Sequence, residues 1–152
     1  MPLVSLIIGS ENDRPIGDRI RDLLKSFSVE VEYVVISAHR APEELRRYVK
    51  ESRAEVFIAV AGLSAALPGA IASMTIKPVI GVPRDVKLMG LDSLFSIVQM
   101  PPGVPVACVG LDNATNAALL ALEILALKYP ELEKKLEEYR ENMRREAIKK
   151  LE

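Results

Sequence analysis

Apolar residues in this chain collect in short unbroken runs instead of alternating with polar ones. The runs fall at Leu3–Ile8, Val29–Ile36, Val56–Ala61, Val79–Val82 and Val104–Val109 and are rich in Val and Ile. Unbroken runs of this length predict strands covered on both faces. Between them, apolar positions recur at helical spacing over Ile16–Phe27, Pro42–Ser52, Leu67–Met74, Leu91–Val98 and Asn113–Leu127. Strand and helix therefore alternate, which predicts a parallel sheet built from right-handed crossovers. The expected fold is a single-domain, three-layer, doubly wound α/β sheet of the flavodoxin-like or Rossmann-like kind, occupying residues 1–130. Beyond Pro130 the pattern changes: seven acidic and seven basic residues take 14 of the 22 positions of 131–152, and Leu132, Leu136, Tyr139 and Met143 recur among them as a narrow apolar seam. That spacing predicts an amphipathic C-terminal helix, lying either on its own domain or on a neighbouring subunit.

Composition narrows the function classes. The chain has 152 residues, 49% of them hydrophobic and 27% charged, as expected of one soluble globular domain with a real core. The formal net charge of -1 supplies no field that would recruit nucleic acid or an anionic membrane. The single cysteine, Cys108, excludes an intramolecular disulfide and fits a reducing cytoplasm, and the single histidine, His39, excludes a histidine-cluster metal site. Met1 to Ile8 is apolar but lacks a basic leader and so does not read as a signal peptide. The uncharged stretch Val56 to Ile76 is interrupted by Gly62, Ser64, Pro68 and Gly69, which predicts a buried strand followed by a buried helix and no membrane span.

In such sheets ligands bind beyond the carboxyl ends of the strands, so the chemistry is sought in the loops that follow them. The first loop is Gly9-Ser10-Glu11-Asn12-Asp13, where backbone N–H groups, a hydroxyl and a helix N-terminus suit a phosphate, although the same residues are common turn and capping residues. The second, Ser37-Ala38-His39-Arg40, joins an imidazole that can shuttle a proton near neutrality to a guanidinium that can grip a phosphate at two points. The third runs uncharged from Ala61 through Gly62 and Ser64 to Leu67 and would line a pocket with small side chains; close helix-on-strand packing also selects such residues. No G-x-G-x-x-G, P-loop or G-x-S-x-G motif is present, which counts against a dinucleotide fold, a P-loop enzyme and a serine hydrolase.

Taken in order, these loops resemble the PurE family of purine biosynthesis. The resemblance rests on Gly9-Ser10-x-x-Asp13, Ser37-Ala38-His39-Arg40-x-Pro42, Leu67-Pro68-Gly69, the run Pro78 to Pro83, the long block Gly90 to Pro101, Gly103 to Ala107, and Asn116 to Leu120. It covers nearly the whole chain. It implies a cofactor-free, metal-free enzyme acting on an aminoimidazole ribonucleotide, with carbon dioxide as intermediate or substrate. It also implies a homo-octamer, for which the C-terminal helix and the apolar segments Leu67–Ala72 and Met100–Val106 give independent grounds. By the same resemblance His39 is the proton shuttle, and Ser10, Asp13 and Arg40 hold the ribose and its phosphate. Gly9, Asn12, Ser37, Ala38, Gly62, Ser64 and Leu67 complete the expected substrate site.

Two positions depart from the pattern: Asn12 stands where the family usually has serine, and Ala66 where the mutase branch usually has histidine. Arg40 and the block Asp92 to Pro101 are similar to the mutase branch, whereas Ala66 and Gly62-x-Ser64 are similar to the branch that carboxylates directly with carbon dioxide. The expected activity is the mutase, with the direct carboxylase as the alternative and an inactive nucleotide-binding homologue as a second.

Overall fold

A computed structural model describes residues 1–151. Five strands, β1 (Leu3–Ile8), β2 (Glu30–Val35), β3 (Val56–Ala61), β4 (Val79–Pro83) and β5 (Ala107–Cys108), form one sheet in the order β2-β1-β3-β4-β5, every neighbouring pair parallel. This is the flavodoxin-like strand order. In register, Leu6 stands beside Tyr33 on one side and Ile58 on the other, and Ile58 beside Ile80.

Helices α1 (Arg14–Ser26), α2 (Pro42–Glu51), α3 (Leu67–Ala72), α4 (Leu91–Val98), α5 (Ala114–Ala126) and α6 (Pro130–Glu146) cover the two faces. Side chains alternate across each strand, so one face presents Val4, Leu6, Ile8 and Ile58 to Ile20 and Leu24 of α1 and to Ala117 and Ala121 of α5. The other presents Ile7, Phe57 and Ala59 to Leu45 and Val49 of α2, Ile71 of α3 and Ile97 of α4. Each fully buried Leu, Ile or Phe contributes about 1.5–3 kcal/mol. On the face of Ile7 and Phe57 lies a polar tie, in which the buried Ser5 hydroxyl meets the Tyr48 hydroxyl at 2.8 Å and Tyr48 donates to Glu32 at 3.2 Å.

The structure departs from the run pattern at both sheet edges. No residue of β2 is fully buried, because Glu30 and Glu32 hold this strand at an edge instead of between two helix layers. β5 contracts to Ala107–Cys108, because Pro105 has no N–H to give a ladder; pairing continues only as far as Val109 N–H donating to Gly81 C=O. The uncharged stretch from Val56 is indeed a buried strand followed by a buried helix, and among the described residues no helix is long and apolar enough to cross a membrane.

α6 lies along α5. Leu132 is buried, Tyr139 tilts against Phe27 with centroids 6.0 Å apart, and Lys135 Nζ donates to Phe27 C=O and Ser28 Oγ, both at 3.0 Å. The seam ends at Met143, which is exposed. Apolar surface is also left uncovered, only in part where sequence places it, for Met100–Val106 is exposed or half-buried throughout. Leu67, Pro68 and Ile71 of α3 are buried in their own chain, whereas Leu88, Met89, Leu91, Phe95 and Val98 of α4 and its approach stand 42–77% exposed.

Candidate active site

The strand order reverses between β1 and β3, so the loops that leave these strands diverge and open a crevice at the carboxyl edge. A cavity of about 550 Å³ occupies it. In the first loop, Gly9 N–H donates to Val60 C=O at 3.1 Å and extends the sheet one residue beyond β1. Ser10 Oγ accepts from Asn12 N–H at 3.2 Å and starts the 3₁₀ turn Glu11–Asp13, which runs straight into α1 with Pro15 in its first turn. Asp13 N–H is also bonded, to Ser10 C=O. The loop therefore has fewer free amide donors than its composition suggests, and the Ser10 hydroxyl carries more of its binding capacity.

The second loop is a tight turn built on Ser37. Its carbonyl accepts from Ala41 N–H at 2.9 Å, and its Oγ accepts from both Arg40 N–H and Arg40 Nε, each at 3.2 Å. Pro42 then opens α2. This geometry leaves His39 exposed at the tip of the turn, and the two terminal guanidinium nitrogens of Arg40 make no bond among the described residues.

The third loop crosses the cavity with Leu63 in the left-handed region at φ 56° and closes with Ala66 N–H on Ser64 C=O at 2.7 Å. Gly62 allows a close approach to the segment after β4, since a Cβ there would stand 2.9 Å from Val86 Cγ2 and 3.2 Å from Arg84 Cβ. Leu63, Ala66, Leu67 and Val86 make the apolar wall.

Beneath the first loop Asp13 is buried, its side chain 7% exposed, and Arg84 reaches it from the end of β4. Arg84 Nη1 donates to Asp13 Oδ1 and to Asn12 C=O, each at 3.0 Å, while its Nε donates to Asp112 Oδ1 at 2.8 Å. Burial raises the Asp13 carboxyl above the usual carboxylate range, and the Arg84 guanidinium offsets only part of that effect.

The family model for AIR carboxylase matches residues 3–146. The chain belongs to the AIR carboxylase family. It is 58% identical over 145 residues to the N5-carboxyaminoimidazole ribonucleotide mutase of Methanocaldococcus jannaschii, covering 95% of this chain and 92% of that one. It is 56% identical over 149 residues to the enzyme of the same name from Pyrococcus abyssi, covering 95% and 86%. The crystal structure of Treponema denticola PurE superposes with a TM-score of 0.86 at 30% identity, covering 97% of this chain and 95% of that one.

In this member of the AIR carboxylase family, all the residues singled out from sequence come together. Gly9, Ser10, Asn12 and Asp13 of the first loop, Ser37, Ala38, His39 and Arg40 of the second, and Gly62, Ser64 and Leu67 of the third line the one cavity. The sequence reading missed Val86 of the apolar wall, and Arg84 behind it. Val86 lies beyond the fourth strand, an apolar residue among the charged Arg84, Asp85 and Lys87, so nothing local marks it as pocket lining. Arg84 had one signal, a cation placed directly after a strand on the ligand edge. Among the described residues no three His, Cys, Asp or Glu side chains gather in a way that could hold a metal ion.

Proposed function

We propose that this chain is an N5-carboxyaminoimidazole ribonucleotide mutase, which moves a carboxyl group from the exocyclic nitrogen of the substrate to the neighbouring ring carbon, giving 4-carboxy-5-aminoimidazole ribonucleotide. The observation that carries the reading is the meeting, in one cavity, of an exposed imidazole, a guanidinium with two free prongs and an uncharged wall, in a chain whose relatives bear that name. Arg40 and the Ser10 hydroxyl take the phosphate, since both present donors to an anion. Asp13, ionised, accepts from ribose hydroxyls instead. His39 acts on the imidazole ring. It gives a proton to the exocyclic nitrogen as the N–C bond breaks and carbon dioxide leaves. The ring carbon then attacks carbon dioxide, and His39 recovers a proton from that carbon as the ring rearomatises, so it ends the cycle as it began. The apolar wall of Leu63, Ala66, Leu67 and Val86 holds the uncharged intermediate between the two halves.

Ala66 and Gly62-x-Ser64 favour a second reading, direct carboxylation of aminoimidazole ribonucleotide with dissolved carbon dioxide. Labelled bicarbonate separates the two. The mutase transfers the substrate's own carboxyl with little label entering, whereas ready formation of labelled product from aminoimidazole ribonucleotide alone makes the chain a carboxylase. A homo-octamer in the cytoplasm belongs to the same proposal; its support is the exposed apolar strip from Leu88 to Val98.

A further inference from the structure

We infer that Arg84 is a positioning residue for the substrate site, acting through Asp13. The inference rests on the mutase reading, since it assigns Arg84 its effect on binding of that substrate.

Arg84 is not among the residues that line the cavity, and its guanidinium reaches the site through Asp13. Its main chain is clamped at both ends: its N–H donates to Ala61 C=O at 3.0 Å, and its C=O accepts from the fully buried Ser93 Oγ at 2.7 Å. Gly62 leaves room for its Cβ at the end of β3. The guanidinium is thus launched from a fixed base, and it spans two separate segments. Nη1 holds Asp13 and Asn12 C=O of the first loop, and Nε holds Asp112 ahead of α5, whose Oδ1 also accepts from Asp85 N–H at 3.3 Å. Asp112 keeps a left-handed backbone at φ 54° in this arrangement. One oxygen of Asp13 is tied to Arg84, and the other, Oδ2, lies on the Gly9 side, 3.8 Å from where a Gly9 Cβ would stand. A planar fork fixed at both ends sets the rotation of the carboxylate it grips, which a freely hydrated cation does not do.

Charge reinforces the geometry. Asp13 faces Arg84, Asp112 and the Ser10 main chain, with His39 and Arg40 around the cavity. Without Arg84, two carboxylates would face one another across a partly buried space, and the Asp13 carboxyl, already held high by burial, would rise further. The ionised form that accepts from ribose hydroxyls would then be depleted at mildly acidic pH.

Steady-state kinetics on the carboxyamino substrate across pH test this in wild type, Arg84→Gln, Arg84→Lys, Asp13→Asn and the double variant Asp13→Asn/Arg84→Gln. Arg84→Gln is expected to raise KM about 10-fold with kcat within about 3-fold, the loss of one fixed charge-assisted contact, and to move the acidic limb of kcat/KM to higher pH. Arg84→Lys returns the limb towards wild type while KM stays raised, because a single ammonium cannot replace the fork. In the Asp13→Asn background, Arg84→Gln changes KM by less than about 2-fold, since residues acting through one another are not additive. Full additivity of the two substitutions, or an acidic limb that Arg84→Gln leaves in place, overturns the inference and leaves the mutase reading standing. No turnover of the carboxyamino substrate by wild type overturns the mutase reading and the inference with it.

Discussion

Arg40→Lys separates binding from chemistry. Arg40 is exposed, its amide and Nε both rest on Ser37 Oγ at 3.2 Å, and its terminal nitrogens make no bond among the described residues. The substitution buries nothing and opens no cavity, so fold stability should stay within about 0.5 kcal/mol of wild type. Lysine keeps the charge but loses the second prong and the Nε bond to Ser37 Oγ. A charge-assisted hydrogen bond is worth about 1.5–3 kcal/mol, and retention of the charge at a solvated rim reduces the loss to about 1–2 kcal/mol. That corresponds to about 5–30-fold in affinity. A phosphate remote from the reacting atoms is bound equally in ground and transition states, so the loss should fall on KM while kcat holds. The assay is KM and kcat on the carboxyamino substrate, with calorimetric titration of ribose 5-phosphate at fixed ionic strength and a thermal melt as the fold control. A KM within about 2-fold of wild type, or a fall in kcat at constant KM, would remove Arg40 from the phosphate.

His39→Asn should leave the melting temperature in place and reduce turnover about 10²-fold or more, the range for loss of a general acid–base; near-normal turnover would exclude His39 from the proton transfers. Burial pushes the hydroxyls of Tyr33 and Tyr48 from the ordinary value of 10.0 up to about 12, with Asp18 beside the first and Glu32 beside the second adding to the effect. A phenol more weakly acidic in the folded than in the unfolded state stabilises the fold below pH 10 and loses that contribution as pH rises to about 12. Tyrosinate absorbance should therefore show late ionisation that Tyr48→Phe reduces, and an unchanged titration in that variant contradicts the assignment. Phe95→Glu, on the α4 face that is 56% exposed at this residue, should keep the monomer folded and lower the assembly state in light scattering; wild type running as a monomer at micromolar concentration refutes the oligomer.

What could be read from the chain and what could not divides along local and non-local physics. Unbroken runs such as Val56–Ala61 reveal β3 because burial on both faces leaves no polar position in the strand. The loop residues of the site were legible because strand-to-helix connections of a parallel sheet must emerge on one edge, whatever their sequence separation. β5 was overestimated because a run rich in Val hides the missing donor of Pro105. The Asp13–Arg84–Asp112 bridge joins segments far apart in the chain, and no local period encodes their meeting. The exposed strip from Leu88 to Val98 was hidden for a similar reason: its spacing is that of any amphipathic helix, and only the packing of Ile97 and Ser93 inward shows which face is left outside.

The placement of β1 between β2 and β3 also sets when the site exists. Leu6 pairs locally with Tyr33 as soon as the first crossover closes, but its second neighbour, Ile58, arrives only after α2 has been laid down. The amide of Gly9 finds Val60 at the same late stage, so the crevice opens with the long-range pairing and not before it. A bound ribonucleotide that spans the loops after β1, β2 and β3 grips an arrangement absent from the early collapsed chain. Its stabilisation is therefore expected to appear chiefly as slower unfolding, with the rate of folding little changed, which unfolding and refolding kinetics with and without ligand measure. Saturation with substrate should thus lengthen the lifetime of the folded enzyme against heat and proteases, a kinetic benefit that equilibrium stability alone does not describe.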